Sequence, residues 1–268
     1  MSLLAPLDIC YIIAEYVIMP SILDWIDQNK LKQESLSANS LAIHLLEADP
    51  DKIYWKYLSI NPSAIHLLEA DPDKIYWKYL SINPSAIYLL EANPDKIDWD
   101  FLSRNPAAID LLEANPDKIN WRYLSRNFAQ QSVNLLKKNM DKIDWDWLST
   151  NPAAVGLLKA NLDKINWTYL SANSAEWAIH LLEANPDKIH WSNLSGNPAA
   201  IHLLEANPHE INWTWLSLNP AKRAIHMLKE NLHKICWNCF SANSAIFKID
   251  KKKIAEFARQ LYNVACQN

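Results

Sequence analysis

Two apolar blocks take turns along most of this chain. One reads A-I-x-L-L-E-A and the other I-x-W-x-x-L-S, and polar stretches built on Asn-Pro separate them. Between Asn105 and Arg126 the first block offers Ala108, Ile109, Leu111 and Leu112, and the second offers Ile119, Trp121, Tyr123 and Leu124. Asn is a preferred helix N-cap because its side chain accepts from an orphan amide of the first turn. Pro suits the first helical position and pushes the residue before it out of the α region. Each Asn-Pro therefore ends one helix and begins another. Asp117, just inside the second start, complements the positive helix end. The spacing predicts two helices of about nine residues, roughly 14 Å each, per unit.

Helices this short do not persist alone, because nucleation is costly and little propagation follows. Their stability has to come from neighbours. A buried Trp in every unit would remove roughly 150–250 Å² from water, worth about 4–6 kcal/mol before ordering entropy. A competing pattern is present: "I-D-W-D-F" and "I-N-W-R-Y" alternate with strand period. A step of this size also suits a leucine-rich-repeat horseshoe. Against that alternative, the L-x-x-L-x-L-x-x-N spacing is missing and the second Asn-Pro would have no role.

The unit recurs. Trp55, Trp77, Trp99, Trp121, Trp145, Trp167, Trp191, Trp213 and Trp237 stand at steps of 22 or 24 residues, and Gln33 fills the same slot in a degenerate first unit. Residues 42–63 and 64–85 are identical. The longer steps all arise in one loop, as "NFAQQSV", "NSAEWAI" and "NPAKRAI". A fixed period with insertions confined to one place marks a stacked-repeat solenoid. The expected fold is all-α: an α-solenoid of ten or so helix-pair repeats over residues 30–243, an N-terminal capping helix within 1–29 and a C-terminal capping helix within 244–268. Leu7 to Val17 reads as the first of these helices. In the second, Ile254, Phe257, Ala258 and Leu261 share a face. Stacked at about 8–10 Å per unit, the array would form a curved rod near 80–100 Å long.

Composition narrows the function. With a net charge of −4, the chain lacks the basic balance of a nucleic-acid or anionic-membrane binder. Two glycines, Gly156 and Gly196, are too few for tight hairpins or a phosphate-cradling loop. Four cysteines in a chain of this length do not form a secreted disulfide framework. "LDICYIIAEYVIMP" is too short to span a bilayer and follows no basic run. These features predict an intracellular protein that is neither secreted nor membrane-spanning.

Candidate chemistry is sparse. Cys236 and Cys239 have C-x-x-C spacing, and His233 could extend them to a trio, with His226 or Cys266 as a fourth zinc ligand. The alternative is a drifted repeat, since Cys236 occupies the slot of Asn212 and Cys239 that of Trp215. His44 and His66 share one slot with His180, His202 and His226. Glu183 and Glu205 lie three residues beyond His180 and His202, within reach on a helix face. The Glu slot itself changes sign along the stack, to Lys137, Lys159 and Lys229. Stacked aromatic slots resemble a base-binding platform, but their place beside Ile and Leu reads as core.

The motif W-x-x-L-S-x-N-P-x-A-I-x-L-L-E-x-N-P-D-K-I, recurring over about residues 30–243, resembles repeats in proteins of giant DNA viruses that infect amoebae. The resemblance implies a viral origin and an interaction array, with no catalytic residues to carry over. The opening "PLDICYIIAEYV" looks like the first helix of an F-box, though the repeats begin too soon for all three helices.

An active site is a unique cluster whose members hold separate roles. Duplicated identical units lengthen a surface instead. The expectation is a non-enzymatic scaffold without a cofactor, docking a host or virion protein in the host cytoplasm or the particle. A self-assembling structural component and a zinc or redox protein are the alternatives. The candidate partner-binding residues are the varying exposed slots, Asp110, Asn134, Gly156, His180, His202 and His226. The inserts add Gln130, Glu176, Trp177, Lys222 and Arg223, with Trp177 as an exposed anchor or a bridge between units.

Overall fold

The computed structural model of the protein describes residues 6–267, with side chains from 9 to 264 except 12, 15 and 16. It is an all-α repeat solenoid, and the leucine-rich horseshoe is excluded. Among the described residues the one pair of strands is Ser21–Ile22 with Phe247–Lys248, antiparallel, with Ser21 opposite Lys248 and Ile22 opposite Phe247.

Each unit holds two short α-helices joined by 3-10 turns, not two helices of nine residues. In one unit the 3-10 turn Pro116–Lys118 leads through extended Ile119 and Asn120 to helix Trp121–Ser125. In an uninserted unit the turn Pro152–Ala154 then runs into helix Val155–Ala160. The two Asn-Pro sites differ physically. Asn151 is a true N-cap whose Oδ1 accepts from the Ala153 amide. Asn115 has φ −133° and caps nothing; its Nδ2 donates back to the Leu111 carbonyl and closes the preceding helix. The cap of the Trp helix is the residue before Trp: Asp98, Asn120, Asp144, Asn166 and Asn212 each accept from the amide three residues on. The strand-like I-x alternation is this two-residue extended link.

The inserts lengthen the second helix. It runs Gln130–Lys137, Glu176–Glu183 and Lys222–Glu230, where an uninserted unit has five or six residues, as in Ile109–Glu113 and Ile201–Ala206.

Neighbouring units are joined through buried Ser and Asn. Asn105 Nδ2 donates to the carbonyls of Ser81 and Asn83, at 3.0 Å each, while its Oδ1 accepts from the Ala107 amide. The hydroxyl of Ser103 donates to the Trp99 carbonyl and accepts from the Asn120 amide of the next unit. Ser103 and Asn105 are completely buried. Since buried polar groups need partners, this ladder fixes the register of every unit on the last. Between the helices lies one continuous apolar core, with Leu102, Leu112, Leu124 and their equivalents fully buried.

The ladder does not stop at the ends. Asn39 of the first unit donates to the carbonyls of Ser241 and Asn243 in the last, and the Lys32 amide donates to Ser241 Oγ at 2.8 Å. The tenth ladder Asn thus hands on to the first, and the solenoid is a closed ring. The expected rod of 80–100 Å is overturned. The seam is reinforced by Trp25 packing 5.9 Å from Phe240, by the strand pair, and by Lys248 Nζ, 2.6 Å from Asp24. Helices Pro6–Val17 and Lys251–Gln267 cap no free ends. They pack on each other across the seam, burying Cys10 and Ala14 against Ile254 and Ala258.

In a ring the side with the tighter spacing between units faces the axis. Neighbouring Trp helices approach more closely than neighbouring I-x-L-L helices. The Trp helices therefore form an inner rim around a lumen, and the I-x-L-L helices form an outer belt.

The Trp side chains differ from the expectation too. They are half-buried against the core, and the Lys of the next unit's turn covers the open face. Lys118 Nζ lies 4.5 Å from the Trp99 ring and Lys188 Nζ 4.4 Å from the Trp167 ring; Lys30 covers Trp237 across the seam at 5.3 Å. Part of the stabilisation assigned to burial is thus cation–π attraction. Trp191 is the exception, because Glu210 stands in the lysine's slot.

Candidate functional site

In the units between the seam units the outer belt presents one exposed slot each, the residue after the Ile or Val of I-x-L-L. Asp110, Asn134, Gly156, His180, His202 and His226 all occupy it and all are exposed. The structure brings them into one column around the belt. A Cβ added at Gly156 would meet nothing within 4 Å, so the belt is open there.

The column is tied sideways by hydrogen bonds. His66 Nε2 lies 2.7 Å from Glu47 Oε1 of the preceding unit, and Tyr88 Oη donates to Glu69. His202 Nε2 lies 2.8 Å from Glu183 of the preceding unit, so its partner is not Glu205 three residues on. Glu205 instead receives Arg223 Nε at 2.9 Å. His180 does pair along its own helix, with Nδ1 3.0 Å from Glu183 Oε2, and also lies 3.7 Å from Glu176. His226 lies 3.3 Å from Glu230. Glu183 therefore joins two units through two imidazoles. Its hydrogen bonds to His180 and His202 hold its carboxyl below the usual carboxylate range, and the bond to Glu183 raises the His180 imidazole. His44, at the seam, moves the other way, because burial disfavours its charged form.

Among the inserted residues, Gln130, Glu176, Lys222 and Arg223 are exposed at the start of the lengthened helices. Trp177 is not an exposed anchor. It packs half-buried on the core with Lys159 Nζ of the preceding unit 5.7 Å from its ring, which makes it a bridge.

The cysteine pair is partly assembled. Cys236 and Cys239 place their sulfurs 3.1 Å apart, and burial followed by the neighbouring Cys236 pushes the Cys239 thiol up to about 11. His233 does not complete a trio. Among the described residues no group of three His, Cys, Asp or Glu side chains is placed to hold a metal. Cys266 lies outside the described side chains.

The lumen was misread as core. Two positions after seven of the nine repeat Trp residues an aromatic side chain faces it, with Asn193 and Cys239 in the slot elsewhere, and neighbouring rings meet there: Tyr79 and Phe101 at 5.7 Å, Trp147 and Tyr169 at 5.3 Å. These slots are partly exposed in the structure, and their place beside the apolar core positions in the sequence gave no sign of it. Comparison with protein-family models, with curated proteins and with solved structures gave no match.

Proposed function

We propose that the protein is a non-enzymatic ring scaffold that binds a protein partner on its outer belt. One observation carries the reading: the positions that hold the ring together repeat from unit to unit, whereas the exposed belt slot runs through His, Tyr, Asp, Asn and Gly. A repeated frame with a changing surface gives each arc of the belt its own charge and hydrogen-bonding pattern, which selects a partner and its register. The sequence resemblance suggests a viral protein and hence a host or virion partner. Self-assembly is the weaker reading, because the seam uses the ladder positions that an open solenoid would offer to a second copy. Among the described residues no helix is long and apolar enough to cross a membrane.

The test is cross-linked affinity capture from infected amoebae with the wild type and the triple variant His180→Ala, His202→Ala, His226→Ala. A partner held by the wild type and lost from the triple variant, with melting unchanged, supports the belt. Equal retention by both overturns it. Light scattering at rising concentration should give a monomer throughout; growth in mass would favour self-assembly.

A further inference from the structure

The lumen holds a second kind of surface, independent of the belt. Arg104 and Arg126 occupy the same slot, the residue after L-S, in adjacent units. Both are half-buried on the inner rim. Among the described residues the arginine ion pairs are Arg122 with Asp144 and Arg223 with Glu205. Neither Arg104 nor Arg126 has a carboxylate partner. Each is desolvated, and Arg126 also feels the charge of Arg104, so both guanidiniums are pulled below their usual range. Two like charges held side by side with poor access to water are costly unless an anion joins them.

A second observation points the same way. The Trp147 indole lies under Arg126, whose Cζ is 4.7 Å from the ring, and its Nε1 is buried with no hydrogen-bond acceptor. Buried donors in native structures normally have one. Arg126 and Trp147 line one end of a cavity of about 340 Å³. The other end is formed by Gly196 and by Trp215, which is 46% exposed. Gly196 has no side chain, and this leaves space beside the Trp215 ring. The cavity thus offers the Arg126 guanidinium at one end and a bare aromatic face at the other. Its size lies at the small end of ligand sites, about 300–1,000 Å³. That admits one small molecule and no folded segment.

We propose that the lumen binds a nucleoside monophosphate, with the phosphate held by Arg126 and the base laid against Trp215. Guanidinium groups match phosphate oxygens bidentately, and bases stack on aromatic faces whatever their sequence. No glycine-rich loop is needed, because side chains supply every contact.

The test is titration calorimetry of the full chain with adenosine monophosphate, adenosine and inorganic phosphate. The nucleotide should bind one to one, and each half alone at least about tenfold more weakly, as expected when a charged or stacking contact is lost. Arg126→Met and Trp215→Leu should each weaken the nucleotide about tenfold or more, while Arg223→Ser on the belt leaves it unchanged. Should the arginine variants fail to fold, the wild type still decides. The indole N–H signals of Trp147 and Trp215 should move on titration while that of Trp177 stays still. No binding at millimolar nucleotide, phosphate binding as tightly as the nucleotide, or immobile Trp147 and Trp215 signals would each overturn the proposal.

Discussion

The inner rim and the outer belt of the ring are built from the same repeat and obey different rules. On the rim, Ser and Asn side chains are completely buried and serve two units at once, so any change leaves a backbone group without a partner. On the belt, the linking bonds join exposed side chains such as His202 and Glu183. Exposed pairs of this kind contribute little to stability. The contrast shows how a tandem repeat divides its labour: the rim sets the architecture, and the belt is free to vary.

The largest expected effect is on the rim. Asn105→Ala removes a donor from the Ser81 and Asn83 carbonyls and an acceptor from the Ala107 amide. It should destabilise by about 3–5 kcal/mol, at roughly 1–3 kcal/mol per buried group left unpaired. The equivalent Asn61→Ala should cost the same, and denaturant unfolding would show it. Unequal losses would break the picture of interchangeable units. Ser103→Ala should follow at about 1–3 kcal/mol, because the Asn120 amide loses its buried acceptor. Lys118→Ala, which uncovers the Trp99 ring, should cost only about 0.5–1 kcal/mol.

The smallest effect belongs to the belt and is read by pH. The folded pKa of His180 is raised, so its contribution is complete below the unfolded value of 6.5 and is lost as pH climbs through the folded value. The folded pKa of Glu183 is lowered, so its contribution is present above the unfolded value of 4.5 and is lost as pH falls through the folded value. Both operate together between those two unfolded values. Proton NMR titration should place His180 above the usual imidazole range, and Glu183→Gln should bring it back down. An unmoved His180 would remove the pairing of His180 with Glu183 along their shared helix.

Much of the frame is visible in the sequence. The Trp cadence, the loop that takes the inserts and the apolar face of the closing helix all match the structure, since each depends on neighbours close in the chain. The second Asn-Pro misled because Asn115 and Asn151 look alike in sequence, yet one bonds backward to Leu111 and the other forward to Ala153. Where Asp or Asn stands just before the Trp, as at Asp98, Asn120, Asp144, Asn166 and Asn212, it is the real cap, and its position before the helical run carried that signal. Ring closure was not legible. It arises from a turn of about 36° per unit summed over ten units, and no single residue encodes that angle. The lumen site was missed for a related reason. Arg126 and Trp215 are 89 positions apart in the sequence, and the stacking of the units between them lays both along one cavity.

The ring closes at the seam, where Ser35 Oγ donates to Asn238 Oδ1 at 2.8 Å across nearly the whole chain. The direct measurement is a disulfide between Ser35→Cys and Asn238→Cys, with Cys236 and Cys239 replaced by Ser. A closed ring predicts a cross-linked monomer whose yield does not change on dilution. Absence of the cross-link, or cross-linked dimers that disappear on dilution, would show that the units form an open stack.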